Sequence, residues 1–207
     1  MHALFVHGMG RSTWSGWPML RQLTKAGLRT SSHGYNVSLQ RFDVIRDGLV
    51  QRIHGLAGQE LVLIGHSLGG VLIRAALAAM PPDASRPKHI FLLGSPVQPS
   101  CLAQRLQPNP VFRLVTRDCG HLLSSAERMG GIAIPPGPLT SIVGVKGLTG
   151  RLSPFGAEPN DGVVSLSEVS SVNIPDQVRL PIVHTLLPSS TEVAKVILQR
   201  IGLLAGR

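Results

Sequence analysis

Leu61-Val62-Leu63-Ile64-Gly65-His66-Ser67-Leu68-Gly69-Gly70 runs from an apolar segment straight into a serine with glycines two residues before and after it. A short apolar run with β-branched members, bounded by a turn, reads as a strand covered on both faces, as in a parallel sheet. Beyond the serine, Leu68, Val71, Leu72, Ala75, Ala78 and Ala79 recur at helical spacing until Pro81-Pro82 ends the pattern. Gly-x-Ser-x-Gly at a strand-to-helix junction is a nucleophile elbow, whose tight turn strains the serine backbone and lifts its hydroxyl clear of the sheet. Gly65 and Gly69 are expected where strand and helix cross too closely for a Cβ. The pentad alone is a common pattern; its flanks give it weight.

Outward from this stretch, strand and helix alternate without a linker or an internal repeat. A first strand is expected at about residues 2–6, then a helix over Trp14–Ala26, with Pro18 tolerable in its first turn. Asn36–Phe42 reads as a short strand, and Asp43 as the cap of a helix with Ile45, Leu49, Ile53 and Leu56 along one face. His89–Leu93 forms a strand ending at Gly94-Ser95-Pro96, Thr140–Val145 another, and Gln177–Leu180 a last one. Ser189-Ser190-Thr191-Glu192 has capping-box spacing ahead of a helix over Thr191–Leu204. The expectation is a single α/β domain over 1–207, a parallel sheet with helices on both faces and its chemistry at the carboxyl ends of the strands.

The segment Val97–Leu139 is rich in Pro and Gly, with apolar residues at Leu102, Leu106, Val111, Phe112, Leu114, Leu122, Leu123 and Met129. It reads either as a cap or lid over residues 98–139 or as packing against the sheet. Trp14 and Trp17 either wall a pocket or join the core.

The formal charge is +9 over 207 residues, but Lys and Arg are scattered, with no long basic run and a single tyrosine for stacking. Nucleic acid is therefore not the expected partner, whereas a solvated basic surface and peripheral contact with anionic lipid stay open. No apolar run is long enough to span a bilayer. Residues 1–8 lack a charged, signal-like start, so a cytoplasmic protein is expected. Two cysteines, Cys101 and Cys119, make no disulfide framework, and no Cys/His spacing suggests zinc.

A neutral serine hydroxyl is a poor nucleophile and needs a base within reach, itself oriented by a carboxylate. Where the serine sits in a Gly-x-Ser-x-Gly elbow, the partners come in the order Ser, then Asp or Glu, then His. Asp161, in Asn160-Asp161-Gly162-Val163-Val164, and His184 meet that order, each following a strand. Among the eight histidines, His2, His33, His54 and His89 fall in element interiors or remote turns. His66 is expected to point away from the elbow tip, and His121 precedes the carboxylate. Glu158, Glu168 and Asp176 compete with Asp161 as the acid. The oxyanion of a tetrahedral intermediate would take the N–H of Leu68, after the nucleophile, and that of Met9 in the His7-Gly8-Met9-Gly10 turn after the first strand.

The His7-Gly8 loop, Gly65-His66-Ser67-Leu68-Gly69-Gly70, Leu93-Gly94-Ser95-Pro96, Asn160-Asp161-Gly162-Val163-Val164 and His184 together resemble a small serine esterase or lipase of the α/β-hydrolase superfamily, near triacylglycerol lipases and inositol-deacylase-like proteins. The resemblance covers about residues 3–203 and is weakest over 98–139. It implies a Ser67, Asp161, His184 triad, hydrolysis of carboxylic esters through an acyl-enzyme, and no cofactor. Against larger members, the two leading antiparallel strands are expected to be missing, leaving a minimal sheet of about six strands. Lipid, short-chain ester and thioester all stay open as the small-molecule substrate. So do an acyltransferase and, against an intact Ser, Asp and His order, a noncatalytic scaffold.

Overall fold

The computed structural model describes residues 1–151 and 153–204; residue 152 and the last three residues of the expected 1–207 domain lie outside it. From the first strand, β1 (His2–Val6), the chain passes through a 3₁₀ turn at Thr13–Gly16 into α1 (Trp17–Lys25). β2 (Arg29–His33), α2 (Phe42–His54), β3 (Leu61–His66) and α3 (Leu68–Ala79) follow. Between β4 (His89–Leu93) and β5 (Leu139–Gly144) lie α4 (Cys101–Leu106), α5 (Pro110–Ser124) and α6 (Ala126–Gly130). α7 (Leu166–Val169), β6 (Asp176–Leu180) and α8 (Thr191–Arg200) complete the order.

The six strands form one sheet in the order β2-β1-β3-β4-β5-β6, and every neighbouring pair is parallel. Parallel pairing forces each connection to cross over a face, which is why helices cover both. Side-chain alternation splits the core accordingly. Leu4, Val6, Leu63, Ile90 and Leu92 point to the face carrying α2 and α3. Ala3, Phe5, Val62, Ile64, Phe91 and Leu93 point to the face carrying α1 and α8. From β1 the chain steps to one side to reach β2 and to the other to reach β3, so the strand order reverses at β1/β3. Such a switch point opens a crevice at the carboxyl ends of the strands. Val6 pairs with Gly65 in register, which sets His7 level with His66 and places the two following loops side by side.

The structure departs from the sequence expectations in several places. The second strand is Arg29–His33 and not Asn36–Phe42. β2 pairs on one side only, at the sheet edge, so its polar residues need no apolar face. Of the apolar residues that suggested a strand, Val37 is buried in the loop, Leu39 is exposed and Phe42 opens α2. Asp43 does not cap α2: it lies in the first turn behind Arg41, and the Phe42 N–H donates instead to Asp118 Oδ2 of α5 at 2.9 Å. α8 ends at Arg200, and its cap is Ser190, which accepts from the N–H groups of Glu192 and Val193.

Trp14 and Trp17 are exposed, not core, and the Arg21 guanidinium lies over the Trp17 ring. Within 98–139, Cys119, Leu122, Leu123 and Met129 are buried against the α2/α3 face, while Val111, Leu114 and Val115 on the outer side of α5 are exposed. Both cysteines are free thiols. Among the described residues, no helix is long and apolar enough to cross a membrane.

Candidate active site

Ser67 sits between β3 and α3 with φ 52° and ψ −123°, a left-handed conformation that an L-residue adopts only under constraint. The constraint is visible on both sides. A Cβ on Gly65 would lie 2.4 Å from Gly70 Cα, and one on Gly69 would lie 2.1 Å from the Val6 carbonyl oxygen. The Ser67 N–H donates to the Leu93 carbonyl at 2.9 Å, which ties the elbow to the end of β4. Gly8, in the loop after β1, packs on the other flank, where an added Cβ would come within 3.0 Å of Ser67 Cβ.

His184 opens the 3₁₀ turn after β6 and is buried. Its Nδ1 lies 2.6 Å from Asp161 Oδ2, and its backbone N–H donates to the Asp161 carbonyl at 2.9 Å. Against an ionised carboxylate, which only accepts, Nδ1 carries the proton and Nε2 keeps its lone pair. Asp161 is fully enclosed, and its other oxygen accepts from the N–H groups of Val163 (3.0 Å) and Val164 (2.9 Å). The bend that brings these amides round uses Gly162 at φ 97°.

Gly94, at φ 52°, is what lets the pair close against the sheet. A Cβ there would stand 2.9 Å from Asp161 Oδ2 and 3.0 Å from His184 Nδ1. Since Leu93 holds the Ser67 backbone and the next residue lies beside both Asp161 and His184, the three residues stand at the same carboxyl edge of the sheet. The competing carboxylates are engaged elsewhere. Glu168 accepts from the N–H groups of Cys101 and Ser165, Glu158 from the Ser167 N–H, and Asp176 binds Arg200 and Thr140.

His66 belongs to this group, contrary to the expectation that it points away. Its Nε2–H donates to the His184 carbonyl at 3.0 Å, and the two rings lie 4.7 Å apart, centroid to centroid. Complete burial and the neighbouring His184 push its imidazole well below the ordinary histidine range, so it is neutral. Its Nδ1 has no partner among the described residues and faces Gly8. The placement of a histidine directly before the serine was the available signal.

Leu68 is the first residue of α3, so its N–H has no partner inside the helix. In the loop after β1, no backbone carbonyl among the described residues takes the Met9 N–H. Beside this loop a groove of about 410 Å³ is lined by His7, Met9, Arg11, Tyr35, Val37 and Val115, among others. Among the described residues, no group of three or more His, Cys, Asp or Glu side chains is arranged to hold a metal ion.

A doubly wound parallel sheet with a strained serine after β3 defines the α/β-hydrolase fold. Residues 3–136 match the sequence profile of the alpha/beta hydrolase family, and the chain belongs to that family. That match ends before Asp161 and His184. Among solved structures, the chain is similar to the mature form of a lipase from Bacillus licheniformis, with 16% identity and a TM-score of 0.70 over 96% of this chain and 90% of that one. It is also similar to the RedJ thioesterase of the prodiginine pathway in Streptomyces coelicolor (13% identity, TM-score 0.60, 99% and 90% covered). A third similar structure is a bromoperoxidase from Bacillus anthracis (14% identity, TM-score 0.63, 97% and 91% covered). At such identities the likeness is one of fold. No curated protein sequence matches significantly.

Proposed function

We propose that this protein is a serine hydrolase that cleaves carboxylic esters through an acyl-enzyme on Ser67. The observation that carries the reading is the 2.6 Å contact between His184 Nδ1 and Asp161 Oδ2, made at the sheet edge where Ser67 is held at positive φ. Asp161 fixes the imidazole with Nε2 unprotonated, so that it takes the Ser67 proton as Oγ attacks the ester carbonyl. The N–H groups of Leu68 and Met9 stabilise the resulting oxyanion, and His184 then returns the proton to the departing alcohol. Water, deprotonated by the same nitrogen, releases the acid and restores Ser67.

The groove beside Met9 takes the substrate. Its Met9, Val37 and Val115 wall suits an acyl chain, and its volume is in the range of small-ligand sites. Likeness of fold to a lipase and to a thioesterase supports acyl chemistry without choosing the leaving group. The test is a panel of p-nitrophenyl esters of increasing chain length, with Ser67→Ala as control. Turnover lost in the variant supports hydrolysis. An acyl burst without turnover in water points to acyl transfer, and equal rates in both proteins refute the reading.

A further inference from the structure

Tyr35 lies just beyond β2 and makes three contacts with His7. The two rings stack with centroids 4.2 Å apart and planes 5° from parallel. The phenol donates to the His7 carbonyl at 2.7 Å, and the Tyr35 backbone N–H donates to His7 Nε2 at 3.4 Å. A backbone N–H can only donate, so Nε2 carries the lone pair and Nδ1 the proton. That Nδ1–H donates to the Gly8 carbonyl at 2.9 Å, and the Arg11 N–H reaches the same oxygen at 3.2 Å.

Both peptide planes around Gly8 are thereby held. The His7–Gly8 carbonyl is wedged between the Tyr35 phenol and α3, where a Cβ on Gly69 would come within 2.6 Å of it. The Gly8–Met9 carbonyl is held by the His7 ring and Arg11. The described chain has no cis peptide, and in a trans peptide the N–H points opposite to the carbonyl of the same plane. Pinning the Gly8 oxygen therefore directs the Met9 N–H to the other side. Gly8 alone, with no Cβ to limit it, would leave that amide free to swing.

We propose that Tyr35 is a positioning residue: through His7 it locks the loop after β1 so that the Met9 N–H is preorganised for the oxyanion. The proposal rests on the hydrolase reading above. Preorganised donors avoid reorganisation when charge develops, so the effect falls on kcat and not on substrate binding. Burial keeps the phenol protonated far above neutral pH and disfavours a charged His7; both directions favour the same hydrogen-bonding pattern.

The test compares Tyr35→Phe and Tyr35→Ala with the parent, using p-nitrophenyl butyrate turnover and nitrogen NMR of the histidine rings. Tyr35→Phe keeps the ring and loses one hydrogen bond, so kcat falls about tenfold with KM unchanged. Tyr35→Ala removes the ring stack together with the phenol bond and leaves His7 held only by backbone contacts, so kcat falls about a hundredfold, near the loss of an oxyanion donor. In the parent and in both variants His7 shows the Nδ1–H tautomer, because the two contacts that set it, with the residue 35 N–H and the Gly8 carbonyl, are made by the backbone. Parental kcat in the Phe variant, a rise in KM alone, or an Nε2–H tautomer in the parent overturns the proposal. If the parent is never acylated at Ser67, the hydrolase reading fails instead, and the tautomers still judge the clamp.

Discussion

Asp161→Asn separates the orientation of His184 from its presence. Asp161 Oδ1 accepts two backbone N–H groups, at 3.0 and 2.9 Å, while Oδ2 accepts from His184 Nδ1 at 2.6 Å. An asparagine must turn its carbonyl to the two backbone donors, because its NH₂ group cannot accept from them. The NH₂ then faces Nδ1, and two donors cannot share one contact. His184 relieves the conflict by moving its proton to Nε2, the nitrogen that accepts from Ser67 in the proposed mechanism. Shape and burial hardly change, so folding loses only the charge-assisted bond, about 1–3 kcal/mol. Catalysis loses the base, which in triads of this design lowers kcat about 10⁴-fold, or about 5.5 kcal/mol of barrier. Turnover of p-nitrophenyl butyrate is measured beside far-UV circular dichroism and a melting curve. A folded variant that keeps more than about a tenth of parental kcat would show that Asp161 does not orient the base.

Gly94→Ala sets a Cβ against Asp161 and His184 at positive φ; kcat is expected to fall about a hundredfold through displacement of the pair, and near-parental kinetics would contradict this. Asp118→Ala removes both the acceptor of the Phe42 N–H and the partner of Arg128. It loses about 1 kcal/mol by urea unfolding, most of it from the helix end because the ion pair is partly exposed. Arg128 holds the Asp118 carboxyl below its ordinary value, so this stability is present above about pH 4 and lost as pH falls through the lower folded pKa. Parent and variant should therefore converge in acid, and a difference that persists there would exclude the carboxylate as its source. Burial pushes the Cys119 thiol up to about 12, so iodoacetamide at pH 8 should modify Cys101 in the native protein and reach Cys119 only on unfolding.

The fold was most legible where strands are buried on both faces. Leu61–His66 and His89–Leu93 are buried along their whole length, and their largely apolar runs end at turns. β2 gave no such signal, since an edge strand with the sequence Arg-Thr-Ser-Ser-His can leave its side chains half-exposed. The cap of α2 was hidden for a different reason: Asp118 reaches Phe42 across 76 residues, and local spacing carries no trace of it. Chain order and strand ends pointed to Ser67, Asp161 and His184 as candidates, and the structure brings these residues to one edge. The contact of His66 with His184 and that of Tyr35 with His7 were missed because each joins loops that follow different strands and are distant in sequence. Gly94 was visible as a strand-end glycine, but the groups that would meet a Cβ there come from two later loops.

The proposed hydrolysis passes through a covalent acyl group on the Ser67 hydroxyl. Mixing the protein with excess p-nitrophenyl butyrate, quenching in acid within the first turnovers and mapping peptides by mass spectrometry reads it directly. One butyryl group is expected on the peptide containing Ser67, absent in Ser67→Ala and accumulating slowly if at all in His184→Ala. A parent that releases nitrophenol with no adduct on Ser67, or that carries the acyl group on another residue, contradicts the proposed route.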